Sequence, residues 1–260
     1  MANLGRSPKS SSDWTETDLK AFNIRVIDVS ADEFFGVRLA DINLDHLPPA
    51  IVTQENAVEP LSKEESLFFD YMNDADVGEE SAVCDFMAFL LHILNYDGDG
   101  RLIRQRKEWV MTMCASMVNV KPDVTVVHRR RLPLLPVRAD RRKTNRENPV
   151  PKLVAEMLGT FYSLNLTRRM LCKSPLDKKV IPGITFHGDV PIFFRMEVTQ
   201  EFVTAFQAGM YPPEEILVQK CIPPVKDVVN YVKYGMRRLE HRQVILKCFE
   251  AFKKFVVVDP

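Results

Sequence analysis

Two aspartates in the middle of the chain have the residue types and spacing that metal-dependent phosphate chemistry requires. Asp123 comes just before a β-branched run, 124–127, and Asp140 follows a second apolar run, 132–137. Runs of this kind are typical of strands. If the two strands pair as a hairpin, both carboxylates lie at the same end of the sheet. Two carboxylates with a cation beside them can hold a divalent metal and a phosphate. The sequence therefore predicts a candidate metal and phosphate site at this end of the hairpin.

Basic residues are concentrated in the same region. The whole chain has 35 basic and 35 acidic residues and a formal net charge of zero, yet 129–146 contains eight basic residues and one acid, Asp140. A local excess of this kind can neutralise nucleic-acid phosphates, although a solvated basic face is an equally ordinary interpretation. The predicted phosphate-binding residues are Arg129, Arg130, Arg131, Arg142, Lys143 and Lys152.

An acidic pair precedes the first strongly predicted helix. Apolar residues recur at helical spacing over 81–95, and Glu79 and Glu80 stand at the start of this segment. Carboxylates at a helix N-terminus interact favourably with the helix dipole, so capping is one interpretation of the pair. The other is that Glu80 points into the same site as Asp123.

The elements that must position these residues alternate along the chain. An acidic break is expected over 73–78, and no internal repeat is present. We predict a disordered tail over 1–20, an N-terminal extension over 21–75 that packs on the core, and one α/β domain over 76–260. Helices are predicted over 64–71, 81–95, 151–164, 200–208 and 240–255, and strands over 24–29, 101–107, 109–118, 124–127, 132–137, 184–186, 190–198 and, at an edge, 216–221.

Cysteine usage and hydropathy suggest the compartment. The five cysteines are scattered, and no CxxC pair or Cys/His cluster is present, so a structural zinc site is not predicted. Cys84, Cys114 and Cys248 lie in apolar patterns and resemble core residues of a protein in a reducing compartment. No signal peptide or long apolar run is present, so we expect a soluble intracellular protein, cytoplasmic or nuclear, with no membrane partner.

The order of these features resembles the PD-(D/E)XK nuclease-like superfamily. The shared features are a helix with an acid at its start, antiparallel strands, Pro122-Asp123 at the head of one strand, an acid at the end of the next, and then a helix. More narrowly, the chain resembles a family of uncharacterised proteins of mushroom-forming fungi from about Phe22 onward. The stretches that carry this resemblance are ADEFFGVRLADINLDHLPPAI, KPDVTVVHRR, PKLVAEMLGTF, VIPGITFHGDVPIFFRMEVTQEFVTAFQAGMYP and LKCFEAFKKF.

The resemblance implies a fold and a set of site residues. The fold is a restriction-endonuclease-like α/β core, a central mixed sheet flanked by helices, with a C-terminal β-hairpin and further helices. In the superfamily, the motif aspartate and the acid of the (D/E)xK triplet hold the metal, and the lysine orients water or stabilises phosphate charge. These positions correspond to Asp123, Ala139 and Arg141. Relatives often have glutamine where this chain has Lys152.

The chain departs from the triplet at two positions. Ala139 cannot bind a metal, and Arg141 stays protonated where a lysine could lose its proton. Asp140 lies one residue beyond the acid of the triplet. It would therefore point to the opposite face of the strand unless the strand bulges or ends there.

Three functional hypotheses stay open at this point. The first is a nuclease-like fold that has lost its catalytic residues and binds nucleic acid or another phosphate without efficient cleavage. The second is an active Mg²⁺-dependent endonuclease, with Asp123 and Asp140 as metal ligands and Arg141 and Glu80 as further catalytic residues. The third is a non-catalytic protein-interaction scaffold. DNA or RNA is the expected partner in the first two cases, and the sequence determines neither which of them nor the oligomeric state.

Overall fold

A mixed seven-stranded sheet with helices on both faces forms the centre of the molecule, so the predicted α/β class is confirmed. The computed structural model describes residues 5–77, 79–129, 132–140 and 148–257. The strands are β1 (Ile24–Asp28), β2 (Arg101–Gln105), β3 (Trp109–Met113), β4 (Ser116–Val120), β5 (Val124–His128), β6 (Pro133–Asp140), β7 (Lys178–His187), β8 (Val190–Thr199) and β9 (Ile216–Cys221). The main sheet has the order β1-β9-β8-β7-β6-β5-β2, and β3 and β4 form a separate antiparallel pair.

The helices cover the sheet in two layers, each with its own apolar core. One core contains Phe86, Phe186 and Phe249, and the other contains Met157, Met196 and Phe206. The α-helices are α1 (Glu16–Ala21), α2 (Ala31–Phe35), α3 (Pro49–Thr53), α4 (Lys63–Val77), α5 (Glu80–Ile93), α6 (Val150–Met170), α7 (Gln200–Ala208), α8 (Val228–Tyr234) and α9 (Leu239–Phe252). Helices α5 and α9 contribute to the first core, and α6 and α7 contribute to the second.

Strand pairing explains why the sheet is mixed. β5 and β6 pair antiparallel, as do β7 and β8, whereas β6 and β7 run parallel because α6 connects them as a crossover.

Both ends of helix α7 follow local sequence signals. The Thr199 hydroxyl accepts the N–H of Phe202 at the start of α7, and Gly209 ends this helix with φ 69°.

The small β3–β4 sheet differs from the sequence prediction. A single strand is predicted over 109–118, but the chain reverses at Cys114 and Ala115, where φ is 50° and 59°. This turn has neither the glycine nor the asparagine that signals a hairpin. Its N–H groups donate to the carbonyls of Phe206 and Gln207, so the turn caps the end of α7.

The N-terminal segment also differs from its prediction. Where disorder is predicted over 1–20, the structure has a 3₁₀ turn at Ser11–Asp13 and helix α1, and Trp14 is only 1% exposed. The Trp14 ring stacks on Phe22 with their centroids 5.8 Å apart. The following strand, β1, pairs parallel with β9, so β9 lies inside the sheet and is not the predicted edge.

Four more helices differ from the sequence prediction. Helix α4 continues through the predicted acidic break to Val77, because Met72 and Ala75 are buried on its inner face. Helices α2, α3 and α8 were not predicted. Within the described ranges, no helix is both long enough and apolar enough to cross a membrane.

Candidate functional site

The β5–β6 hairpin brings the two predicted aspartates to the same end of the sheet. β5 begins at Val124, directly after Asp123, and β6 ends at Asp140. Val124 pairs with Val137, so Asp123 lies beside Arg138. The predicted hairpin is therefore present, and its register decides which side chains meet.

Asp123 is held by groups from two neighbouring strands. Its Oδ2 accepts the N–H of Ala139 at 2.8 Å and lies 3.4 Å from Nε of Arg138. Its backbone carbonyl accepts the N–H of Arg106, just after β2, at 2.8 Å. The side chain is only 15% exposed, so these contacts replace much of its hydration.

Arg138 connects Asp123 to a second, fully buried carboxylate. Nη1 of Arg138 lies 3.1 Å from Oε1 of Glu156 on α6 and donates to the Lys121 carbonyl at 3.2 Å. Glu156 is 0% exposed, and its Oε2 has no hydrogen-bond partner among the described residues. Asp123, Arg138 and Glu156, called here the carboxylate–arginine cluster, join β5, β6 and α6.

Burial and charge act in opposite directions within this cluster. Burial raises the pKa of Asp123, while the positive charges of Arg138 and Arg106 oppose that rise. Burial also raises the pKa of Glu156 well above its ordinary value, again against the attraction of Arg138. Burial alone would lower the pKa of Arg138, but Glu156, Asp123 and Glu80 together raise it. The guanidinium therefore keeps its charge in this site.

The cluster does not fit a divalent metal as it stands. The Arg138 guanidinium lies between the two carboxylates, in the space that a shared ion would need. Ala139 supplies a methyl group that packs in the same core as Phe86, where the triplet of the superfamily has an acid. Across the described part of the chain, no group of three or more His, Cys, Asp and Glu side chains could hold a metal ion.

Glu80 lies close to Asp123, at the exposed start of α5. Its negative charge adds to the effect of burial in raising the pKa of Asp123. One turn further along α5, Cys84 is buried, and burial together with the charge of Asp123 raises the pKa of its thiol to about 12. The thiol is therefore protonated and acts as a core residue.

Asp140 has a different partner from Asp123. Its Oδ2 lies 3.2 Å from Nδ1 of His187 on β7, and the residue is 8% exposed. The strand stays regular to its end, with Asp140 paired to His187, and shows no bulge at this point. Asp140 therefore points to the same face as Arg138, two residues earlier. The predicted joint metal site with Asp123 would require Asp140 to leave His187.

The structure describes two of the predicted phosphate-binding residues, Arg129 and Lys152, and they lie in different places. Arg129 is exposed at the far end of the hairpin, where its N–H donates to the carbonyl of Gly100. β6 has eight residues, which separate its ends by about 25 Å. Lys152 is partly exposed in the first turn of α6, on the Asp123 side, and interacts with Glu156. The other predicted phosphate-binding residues, Arg130, Arg131, Arg142 and Lys143, and the predicted catalytic residue Arg141 lie outside the described residues.

Sequence reasoning missed three residues of this region. Arg138 and Glu156 form the cluster, and Arg106 has an exposed side chain that interacts with Asp123. The available signal was a single glutamate within an otherwise apolar stretch of α6, because an acid in such a position needs a buried cation.

No protein-family model matches the chain, and a search of curated proteins finds no match.

Proposed function

We propose that the chain has a restriction-endonuclease-like core of the PD-(D/E)XK type that binds nucleic-acid phosphates without metal-dependent cleavage. The observation that carries the proposal is the position of Arg138 between Asp123 and Glu156. A guanidinium repels a divalent ion, and it cannot activate a water molecule as a bound metal does. Under this proposal, the site retains the motif aspartate, Asp123, but not the metal-dependent activation of water in which that aspartate takes part in the superfamily.

Basic side chains support phosphate binding at the same end of the sheet. Arg106, just after β2, interacts with Asp123, and Lys152, in the first turn of α6, interacts with Glu156. The segment 141–147, which joins the end of β6 to the start of α6, adds four basic residues and a single acid. Phosphate binding by such groups releases counterions and is independent of base sequence.

Binding can be tested by fluorescence anisotropy with labelled single-stranded and double-stranded DNA and RNA at several salt concentrations. We expect the logarithm of the affinity to fall linearly with the logarithm of the salt concentration. Replacing both Arg106 and Lys152 by alanine should weaken binding to every sequence and lower the salt slope by about 1 per lost phosphate contact. Arg25→Ala is the matched control, because Arg25 is also exposed but lies on β1 at the other edge of the sheet.

Cleavage is tested on the same oligonucleotides with Mg²⁺ and Mn²⁺, using the parent chain and Asp123→Ala. We expect no metal-dependent cleavage by either, and binding by Asp123→Ala that equals or exceeds that of the parent, since a negative charge is removed. Cleavage by the parent that disappears in Asp123→Ala would instead identify an active nuclease. Absence of both cleavage and salt-dependent binding would favour the interaction scaffold.

A further inference from the structure

A cavity of about 720 Å³ lies between the N-terminal segment, the sheet and the start of α6. Its walls are mainly apolar side chains from different elements, among them Leu19 of α1, Val26 of β1, Ile192 of β8 and Val150 of α6. Small-molecule sites are commonly cavities of roughly 300–1,000 Å³ with mostly apolar walls and a few polar groups. This space, called here the β7 cavity after the strand that supplies its polar groups, is therefore large enough for an organic molecule with more than one ring.

Two residues of β7 place polar groups inside the β7 cavity. Thr185 and His187 are two residues apart on the same face of the strand, and both line the cavity. Thr185 is only 3% exposed. Nδ1 of His187 lies 3.2 Å from Oδ2 of Asp140, a buried oxygen that has no other partner among the described residues. Because Asp140 orients the ring through Nδ1, Nε2 is the nitrogen that can meet a ligand.

Basic side chains give the β7 cavity an excess of positive charge. Among the described residues, three basic and two acidic side chains line it. Glu215 is already paired with Arg25 at 2.7 Å, whereas the partner of Lys220 is Asp28, whose side chain is 76% exposed. Lys20 is exposed and has no ion-pair partner in the described part of the chain. Exposed ion pairs contribute little, so Lys20 and Lys220 are both available to an anionic group.

We propose that the β7 cavity is a binding site for a small amphipathic organic anion. The apolar body of the ligand lies against the cavity walls, and its carboxylate, phosphate or sulfonate group meets Lys20 and Lys220. A hydroxyl or N–H group of the ligand donates to Nε2 of His187. The site uses neither the basic residues of the hairpin nor the carboxylate–arginine cluster, so it goes beyond the proposed function and is tested separately from it.

Fluorescence titration with anilinonaphthalene sulfonate tests the proposal. This probe combines aromatic rings, one sulfonate and one N–H group, and it becomes fluorescent when it leaves water. We expect saturable binding at one site of the folded parent chain. Phenylnaphthylamine has the same rings without the sulfonate and should bind at least roughly tenfold more weakly, a difference of about 1.4 kcal/mol. Equal affinity for the two probes overturns the proposal, as does the absence of saturable binding by the sulfonate.

Variants of the cavity walls locate the bound probe. Val26→Trp fills the cavity, and Lys20→Gln combined with Lys220→Gln removes its available cations. Each should weaken binding of the sulfonate at least roughly tenfold. Ile192→Phe is a second filling variant if Val26→Trp does not fold. His187→Phe keeps a ring but removes the acceptor nitrogen, and it should weaken binding roughly threefold or more.

Matched controls carry the same changes outside the cavity. Val110→Trp adds the same ring at an exposed position of β3, and Lys63→Gln combined with Lys173→Gln removes two exposed lysines elsewhere. Both should keep the parental affinity for the sulfonate. Parental affinity in a folded filling variant or in the lysine double variant of the cavity overturns the proposal, because the probe then binds elsewhere.

Discussion

At the scale of single residues, Glu156 shows how burial can dominate an ion pair. The carboxylate has a guanidinium 3.1 Å away, yet its pKa is raised because the whole side chain is removed from water. A carboxyl whose pKa is higher in the folded than in the unfolded chain binds its proton more tightly when folded. Its contribution to stability is therefore complete below the unfolded pKa of about 4.3 and is lost as the pH rises through the folded pKa.

Glu156→Gln should make the stability of the protein less dependent on pH. For the parent, the free energy of unfolding should fall as the pH rises above the unfolded pKa of Glu156, because the buried carboxyl holds its proton more tightly in the folded chain. The variant has no carboxyl proton to lose at residue 156, so its free energy of unfolding should decline less steeply with pH. Urea unfolding at several pH values measures both slopes.

Glu215→Gln is the control for this measurement. The hydrogen bond with Arg25 lowers the pKa of Glu215. Its effect on stability is therefore confined to acidic pH, below the range tested. This variant should keep the parental slope. Equal slopes for Glu156→Gln and the parent would mean that Glu156 stays ionised throughout.

At the scale of elements, the β3–β4 turn combines a strained backbone with a tertiary contact to α7. Cys114 and Ala115 both adopt the left-handed conformation, which costs a non-glycine residue about 1–2 kcal/mol. The conformation directs the N–H groups of both residues at the last carbonyls of α7. The Phe206 carbonyl also accepts the N–H of Gly209, so the turn adds to the cap that Gly209 provides at the end of α7.

Ala115→Gly should stabilise the protein by roughly 0.5–1 kcal/mol. Ala115 is exposed, so little packing is lost, and glycine adopts a positive φ without steric cost. Urea unfolding measures the change in the free energy of unfolding. The matched control is Ala88→Gly in the middle of α5, where glycine should destabilise by about 1 kcal/mol. The same loss at both positions would argue against a strained turn.

Sequence patterns predicted the elements whose signals are local. The β5–β6 hairpin, α5 and the caps of α7 follow from β-branched runs, helical spacing, Thr199 and Gly209. The β3–β4 turn was missed because it is stabilised by α7, far along the chain. Arg138 and Glu156 were missed for a similar reason, since their pairing depends on the rotation of α6 against β6. The position of Asp123 was predictable, but its partners were not.

At the scale of the whole molecule, the N-terminal segment is part of the fold. Its strand β1 lies beside β9, whereas Trp14 contacts Phe22 and Phe206 in the core between the sheet and α6. Composition predicted disorder because the first twenty residues are small and polar apart from a few apolar side chains. The burial of Trp14 against Phe22 and Phe206 holds the segment on the core despite that composition.

Trp14→Ala should destabilise the protein by about 3–5 kcal/mol, the range for loss of a large aromatic side chain from a core. Thermal or urea unfolding of the variant measures the loss. Ser7→Ala, in the exposed part of the same segment, should change stability by less than about 0.5 kcal/mol. A similarly small effect of Trp14→Ala would restore the interpretation of a detached tail.

The length of the β5–β6 hairpin limits which ligands can use all of the basic residues. Arg129 and the Asp123 end of the sheet are about 25 Å apart along β6. Successive nucleotides in one strand are about 3.4 Å apart, so this separation corresponds to roughly seven nucleotides. Under the proposed function, a mononucleotide or a short oligomer would reach only one of the two basic ends, whereas a longer strand laid along the hairpin would contact both at once. Chain length, more than base sequence, would then be the property that decides how tightly a nucleic acid binds.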